Sequence, residues 1–142
     1  MLIDLSDKRV IVTGASRGIG AAIAQAFAKE GARVAICART ETAITAKGKE
    51  LEELGAKDVI ARSVDVSATE QVRAVVAEVA ERWGGVDVLV HNAGQGKAGK
   101  LETLEPEDML DHANYLPVAH FPYVQACARH QRAQQCGRVG HV

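Results

Sequence analysis

Apolar runs of strand length alternate with helical stripes along this chain, and no other feature limits its fold as much. "RVIVT" (Arg9 to Thr13) is short and β-branched, as a buried strand should be. "GIGAAIAQAFAKEG" follows, with Ile23, Ala26 and Phe27 at helical spacing and Gly31 as a stop. "RVAICA" (Arg33 to Ala38) reads as a second strand, and Ile44, Leu51 and Leu54 mark a helix that Gly48 weakens and Gly55 ends. A third strand lies within "DVIARSVDV" (Asp58 to Val66). Ser67 and Glu70 then have the spacing of a capping box, opening a helix with the stripe Val72, Val75, Val76, Val79 and Trp83 that Gly84 and Gly85 end. "VDVLVHNAG" (Val86 to Gly94) is a fourth strand running into a glycine turn. From Gln95 to Glu105 the sequence is loop-like, a helix is expected from about Pro106 to Ala133 with an interruption near Pro117, and "GRVGHV" starts a fifth strand.

Parallel neighbours need a connection that returns over one face, so strand-helix alternation implies a parallel sheet with crossover helices. Continuous apolar strands fit a sheet covered on both faces. The expected class is α/β, a doubly wound parallel sheet of four to five strands, formed by residues 1–142 as one domain. A net charge of −1 gives no nucleic-acid footprint, and no window approaches the roughly 18 apolar residues of a membrane span. The amino end "MLIDLSDKRV" carries charge where a secretory signal has an apolar core, so a cytoplasmic location is expected. Three cysteines without a C-x-x-C spacing argue for free thiols. Cys127, His130, Cys136 and His141 cluster in the tail, but their spacing matches no usual zinc pattern, and no metal is expected.

"VTGASRGIG" (Val12 to Gly20) puts three glycines between the first strand and its helix. Glycines there let the turn be tight and let a ligand approach the main chain, while the helix amino terminus offers unpaired N–H groups and a positive dipole end. The segment is a candidate cradle for a dinucleotide's diphosphate; a tight turn that merely needs glycine is the other reading. Two phosphate motifs are excluded. G-x-x-x-x-G-K-[ST] fails at Ile19, and G-x-G-x-x-G fails because Ile23 stands where a third glycine is needed. What remains is T-G-x-x-x-G-x-G.

"TGASRGIG", "DVS" (Asp65 to Ser67) and "HNAG" (His91 to Gly94), in this order and separated by β-α repeats, resemble the cofactor motifs of the short-chain dehydrogenase/reductase family. The likeness runs from near residue 5 to the end and is loosest after Gly94. It implies a Rossmann-like fold, here incomplete, with Gly14, Ser16, Arg17, Gly18, Ile19 and Gly20 in the cofactor cradle. It also implies that Asp65 accepts from the adenine amino group with Val66 adding backbone contacts, and that Asn92, Ala93 and Gly94 line the nicotinamide ribose. Asn92 has a structural alternative, bridging strands through its amide. His91 stands where the family usually has Asn.

In dinucleotide folds a carboxylate at the end of the second strand binds the ribose 2′-OH, whereas an arginine there accommodates a 2′-phosphate. This chain has Ala38 and Arg39 at that point, with Arg17 inside the glycine turn. Two guanidinium groups favour a dianionic phosphate, so NADP is the expected cofactor. A solvated strand-end arginine is the alternative for Arg39.

Reduction of a carbonyl by hydride transfer needs a proton donor at the developing alkoxide. In the family resembled, a Tyr with a Lys four residues later supplies it, a Ser orients the carbonyl, and a helix Asn supports the relay. Asn114 resembles that Asn, although its spacing from "NAG" is short; a plain helix residue is the alternative. Four residues beyond Tyr115 is Ala119, and four beyond Tyr123 is Cys127, so no Tyr-x-x-x-Lys occurs. Gly140 in the fifth strand is a further departure. The expectation is the cofactor half of an NADP-dependent oxidoreductase, inactive alone, whose full-length form acts on a small carbonyl or alcohol. The alternative is a noncatalytic dinucleotide-binding module or sensor. A sheet ending at its fifth strand leaves an open edge that self-association or another chain would cover.

Overall fold

A computed structural model of the chain describes residues 4–94, 121–135 and 137–141. The order is β1 (Arg9–Thr13), α1 (Gly18–Lys29), β2 (Arg33–Ala38), α2 (Glu41–Glu53), β3 (Asp58–Ser63), α3 (Thr69–Trp83) and β4 (Val88–His91). A helix, α4, covers residues 121–134, and β5 (Arg138–His141) follows. All pairings are parallel, and the strand order is β3-β2-β1-β4-β5. The expected α/β, Rossmann-like sheet is therefore present, with five strands. The part of the expected 106–133 helix before residue 121, including its Pro117 interruption, lies outside the described residues, as do Asn114 and Cys136. No described helix is long and apolar enough to cross a membrane.

Alternate strand residues feed two cores, one on each face of the sheet. Val10, Val12, Val34, Ile36 and Val90 pack with α1 and α2, through Ala24, Ala28, Ile44 and Leu51. Ile11, Ala35, Cys37, Ile60 and Leu89 form the opposite core with the α3 stripe Val72, Val75, Val76, Val79 and Trp83 and with Tyr123 and Cys127 of α4. The α3 stripe is the one its periodicity predicts.

Two local expectations fail for identifiable reasons. The innermost face of α1 is Gly20, Ala21, Ala24 and Ala28, while Ala26 is exposed and Ile23 and Phe27 only flank the core. Small residues let the helix lie close to the sheet, which larger side chains at those positions would prevent. The Ser67 capping box also does not form: α3 is capped at Ala68 with no side-chain bond. Asp65 Oδ1 instead accepts the Ser67 N–H at 2.9 Å and its hydroxyl at 2.6 Å, so a tight local turn takes the hydroxyl that a cap would use. Gly48, expected only to weaken α2, is buried, and a Cβ there would stand just 3.0 Å from Ala61 Cβ, so its lack of a side chain seats α2 on β3.

At the opposite end of the sheet from the glycine turn, Arg9 Nε and Nη2 donate to Asp87 Oδ2 and Oδ1 at 2.8 and 2.7 Å, and the Arg9 backbone N–H adds a bond at 2.9 Å. Gln134 of α4 donates to Asp87 Oδ1 at 3.2 Å and to the Val86 carbonyl at 3.3 Å. This cluster ties β1, the entry to β4 and the end of α4 together, and so holds the sheet from which the cleft residues project.

Candidate cofactor site

The glycine turn is anchored to both neighbouring strands. The Ala15 N–H donates to the Cys37 carbonyl of β2 at 3.2 Å. Just past β4, Asn92 Nδ2 donates to the carbonyls of Thr13 at 3.3 Å and Gly14 at 3.1 Å. Thr13 Oγ1 accepts the N–H groups of Asn92 at 3.0 Å and Ala93 at 2.9 Å. Gly14 has φ +65°, and a Cβ there would stand 2.9 Å from Ala93 Cα. A Cβ on Gly20 would collide with the Gly14 carbonyl and the Asn92 amide. The turn is thus closed on itself and on β4, which leaves its outer side to face the cleft.

α1 begins at Gly18, capped by Arg17 with no side-chain bond and with no acidic residue in its first turn. Its first N–H groups are therefore offered outward at the positive end of the helix dipole. Beside this terminus lies a cleft of about 580 Å³ lined by the turn residues Gly14, Ser16, Arg17 and Gly18, by Ala38, Arg39 and Thr40 at the end of β2, and by Asn92, Ala93 and Gly94 after β4. Ala43, Val64 and Val66 complete the lining. Arg17 and Arg39 are both exposed, and no carboxylate lines the cleft among the described residues. The backbone that carries Arg39 is fixed from β3: Ser63 Oγ donates to its carbonyl at 2.8 Å, and the Val64 N–H donates to the Ala38 carbonyl at 2.9 Å.

Most site residues read from the sequence converge here. Gly14, Ser16, Arg17, Gly18, Arg39, Val66, Asn92, Ala93 and Gly94 line one cleft although they come from four separate segments. Gly20 and Ile19 do not line it: Gly20 is buried under the turn, and Ile19 is 63% exposed on the first turn of α1. Asp65 stands between the lining residues Val64 and Val66 with its carboxylate turned to Ser67. The two Ser67 hydrogen bonds, helped by the charge of Arg39, hold that carboxyl below the usual range. Asn114 lies outside the described residues.

Thr13, Ser63, Thr40, Ala43 and Val64 were not among the expected site residues. Thr40 had a signal, being the first polar residue after Arg39 and the cap of α2. Thr13 opens the T-G-x-x-x-G-x-G pattern, although its partners after β4 could not be read from it, and Ser63 had no signal, since it acts on a backbone carbonyl 24 positions away.

An uncapped helix terminus, a glycine turn without side-chain bulk and two nearby guanidinium groups make a concave site for a phosphate-rich anion. At the carboxyl ends of β1 and β4, where the order of the sheet reverses, such a cleft has the position in which doubly wound sheets bind nucleotides.

The family profile described as short chain dehydrogenase matches residues 8–142. An 11-beta-hydroxysteroid dehydrogenase A of Sesamum indicum is 36% identical over 121 residues, 85% of this chain and 34% of that protein. The L-sorbose reductase of Gluconobacter frateurii, solved with NADPH and L-sorbose, superposes with a TM-score of 0.86 at 34% identity, over 98% of this chain and 54% of that one. A solved NADH-dependent reductase complexed with NAD gives a TM-score of 0.83 at 26% identity, over 97% of this chain and 60% of that one. The chain spans about a third of the length of the curated relative and little more than half of each solved chain.

Proposed function

The chain belongs to the short chain dehydrogenase family, and from that premise we propose that it is the NADP(H)-binding half of a carbonyl or alcohol oxidoreductase. The observation that carries this reading is the pairing of Arg17 and Arg39 on one cleft that no described carboxylate lines. The two solved relatives hold NADPH in one case and NAD in the other, so the family fold alone does not choose between them. A ribose 2′-OH is best met by a carboxylate, and a 2′-phosphate by guanidinium groups.

The residues fit the nucleotide part by part. The first-turn N–H groups of α1 and the glycine turn would hold the diphosphate, Arg17 and Arg39 the 2′-phosphate, Val64 and Val66 the adenine end, and Asn92 to Gly94 the nicotinamide ribose. When bound, the nicotinamide supplies a hydride acceptor or donor. What these residues contribute is binding and orientation: the Thr13 and Asn92 bonds keep the strand ends at a fixed separation, so a dinucleotide meets a preformed cleft.

No Tyr-x-x-x-Lys occurs in the 142 residues, and this favours a second statement: the chain alone binds nucleotide without turnover. A full-length form in the cytoplasm would act on a small-molecule carbonyl or alcohol. The test is titration of the chain with NADPH and NADH, followed by the fluorescence of the reduced nicotinamide. Saturable binding with NADPH at least tenfold tighter supports the proposal. Equal affinity removes the 2′-phosphate argument, no binding of either removes the cofactor reading, and hydride transfer by this chain alone refutes the second statement.

A further inference from the structure

Most hydroxyl groups around the cleft are committed to partners within the chain. Thr13 accepts from the backbone after β4, Ser63 donates to the Arg39 carbonyl, and Ser67 donates to the Asp65 carboxylate. Thr40 differs. It lines the cleft directly after Arg39, it is exposed, and among the described residues its hydroxyl has no partner. Its place in the fold makes this informative, because Thr40 caps α2 and threonine is a favoured cap residue, yet no bond runs from its side chain to the first turn of the helix. The caps of α1 and α3, Arg17 and Ala68, also make no such bond, but neither carries the short oxygen that could. Ala43, three residues on, lines the cleft too, so α2 puts no bulk beside the Thr40 hydroxyl, and Glu41, the acid of that first turn, is not part of the lining.

We propose that Thr40 is a specificity-determining residue of the cofactor site: its hydroxyl donates to the nucleotide's 2′-phosphate beside the Arg39 guanidinium. This role rests on the NADP(H) reading above and adds to it a neutral donor that no charge pattern marks. A phosphate monoester presents three strong acceptor oxygens, so two guanidinium groups leave room for a hydroxyl. A bond to that charged acceptor is roughly twice as strong as one to the neutral ribose hydroxyl that NADH would offer in its place. A threonine that only caps α2 would not distinguish the two nucleotides.

The experiment measures, by calorimetry on the 142-residue chain, the affinity of NADPH and of NADH for the parent, Thr40→Val, Thr40→Ala and Thr40→Ser. Circular dichroism confirms that each is folded. Thr40→Val keeps the shape and removes the donor, so it should weaken NADPH about fivefold to tenfold, the loss of one hydrogen bond to a charged acceptor at an exposed site. NADH should bind the same variant within about twofold of the parent, since its ribose hydroxyl gains little from the donor. Thr40→Ser keeps the hydroxyl and should stay within about twofold of the parent for both nucleotides. Unchanged NADPH affinity in Thr40→Val, or equal losses for the two nucleotides, overturns the proposal, as does a Thr40→Ser that falls with Thr40→Val. If Thr40→Val does not fold, Thr40→Ala decides by the same comparison. A parent chain that binds neither nucleotide defeats the cofactor reading itself, and one that binds both equally defeats the 2′-phosphate argument. Both results are distinct from a parent that prefers NADPH and a Thr40→Val that keeps the whole preference.

Discussion

Thr13 Oγ1 accepts the backbone N–H of Asn92 at 3.0 Å, and the Asn92 side chain returns a bond to the Thr13 carbonyl at 3.3 Å. The exchange joins the end of β1 to the end of β4 at the edge of the cleft. Thr13 is fully buried and also accepts from Ala93, so removing its oxygen leaves two N–H groups without their acceptor. Thr13→Val, which keeps the shape, should lower unfolding free energy by about 2 to 4 kcal/mol. Thr13→Ser keeps the oxygen and should cost under about 1 kcal/mol. Urea unfolding of the two variants measures the difference; equal midpoints would mean that the hydroxyl contributes nothing.

Arg39 is held at the cleft by the Ser63 bond to its carbonyl, so its guanidinium is presented from a fixed backbone. Replacing it with a carboxylate removes a partner for a 2′-phosphate and adds repulsion, while offering an acceptor to a ribose hydroxyl. Arg39→Asp should therefore shift the NADPH/NADH affinity ratio toward NADH by about tenfold to a hundredfold. An unchanged ratio in nucleotide titrations would remove Arg39 from the selection of cofactor.

The strands were legible because β-branched runs between glycines leave few alternatives, and the glycine turn was legible because its spacing is a local pattern. Local competition was harder to see. Ser67 has the right spacing from Glu70 for a cap, yet Asp65 two residues earlier captures its hydroxyl. The face of α1 was misjudged because periodicity gives weight to large side chains, whereas the closest approach of helix to sheet belongs to Ala21, Ala24 and Ala28. Partners distant in the chain were not legible at all. Thr13 and the two N–H groups it receives are 79 and 80 positions apart, and Tyr123 joins the core of Cys37 and meets the His91 ring only once the sheet has formed.

Asp87 lies at the foot of the sheet with its side chain 13% exposed, and Arg9 donates to both of its oxygens. The hydrogen bonds from Arg9, first from its side chain and then from its backbone, outweigh burial and hold the carboxyl below its ordinary 3.8. In the acid range the unfolded chain then binds more protons than the folded one. The stabilisation is complete above about pH 3.8 and is lost as pH falls through the lower folded value. Asp87→Asn should cost about 2 kcal/mol at neutral pH, in the range of charge-assisted bonds. Its deficit should shrink as the pH is taken below 3.8. Denaturant unfolding of both proteins from neutral pH into acid checks this; a deficit that does not change with pH would locate the cost in packing instead of charge.

Cys37 and Cys127 share one dry core, and burial pushes both thiols up to about 12. For Cys37 the nearness of the Tyr123 hydroxyl works against that rise, and for Cys127 the nearness of Cys37 adds to it. Thiolate is the reactive form, so at pH 8 neither should react with a disulfide reagent while the chain is folded, and both should react once it is unfolded in guanidinium. Between the ordinary thiol value of 9.0 and the folded value near 12, the unfolded chain binds fewer protons, so stability should fall as pH rises through that window. Replacing both with alanine should flatten the alkaline limb while opening small cavities that cost about 1 kcal/mol each near neutrality. Reagent titration with and without denaturant is the direct measurement. Rapid labelling of Cys37 or Cys127 in the folded chain, located by peptide mass mapping, would show that α4 does not seal this core.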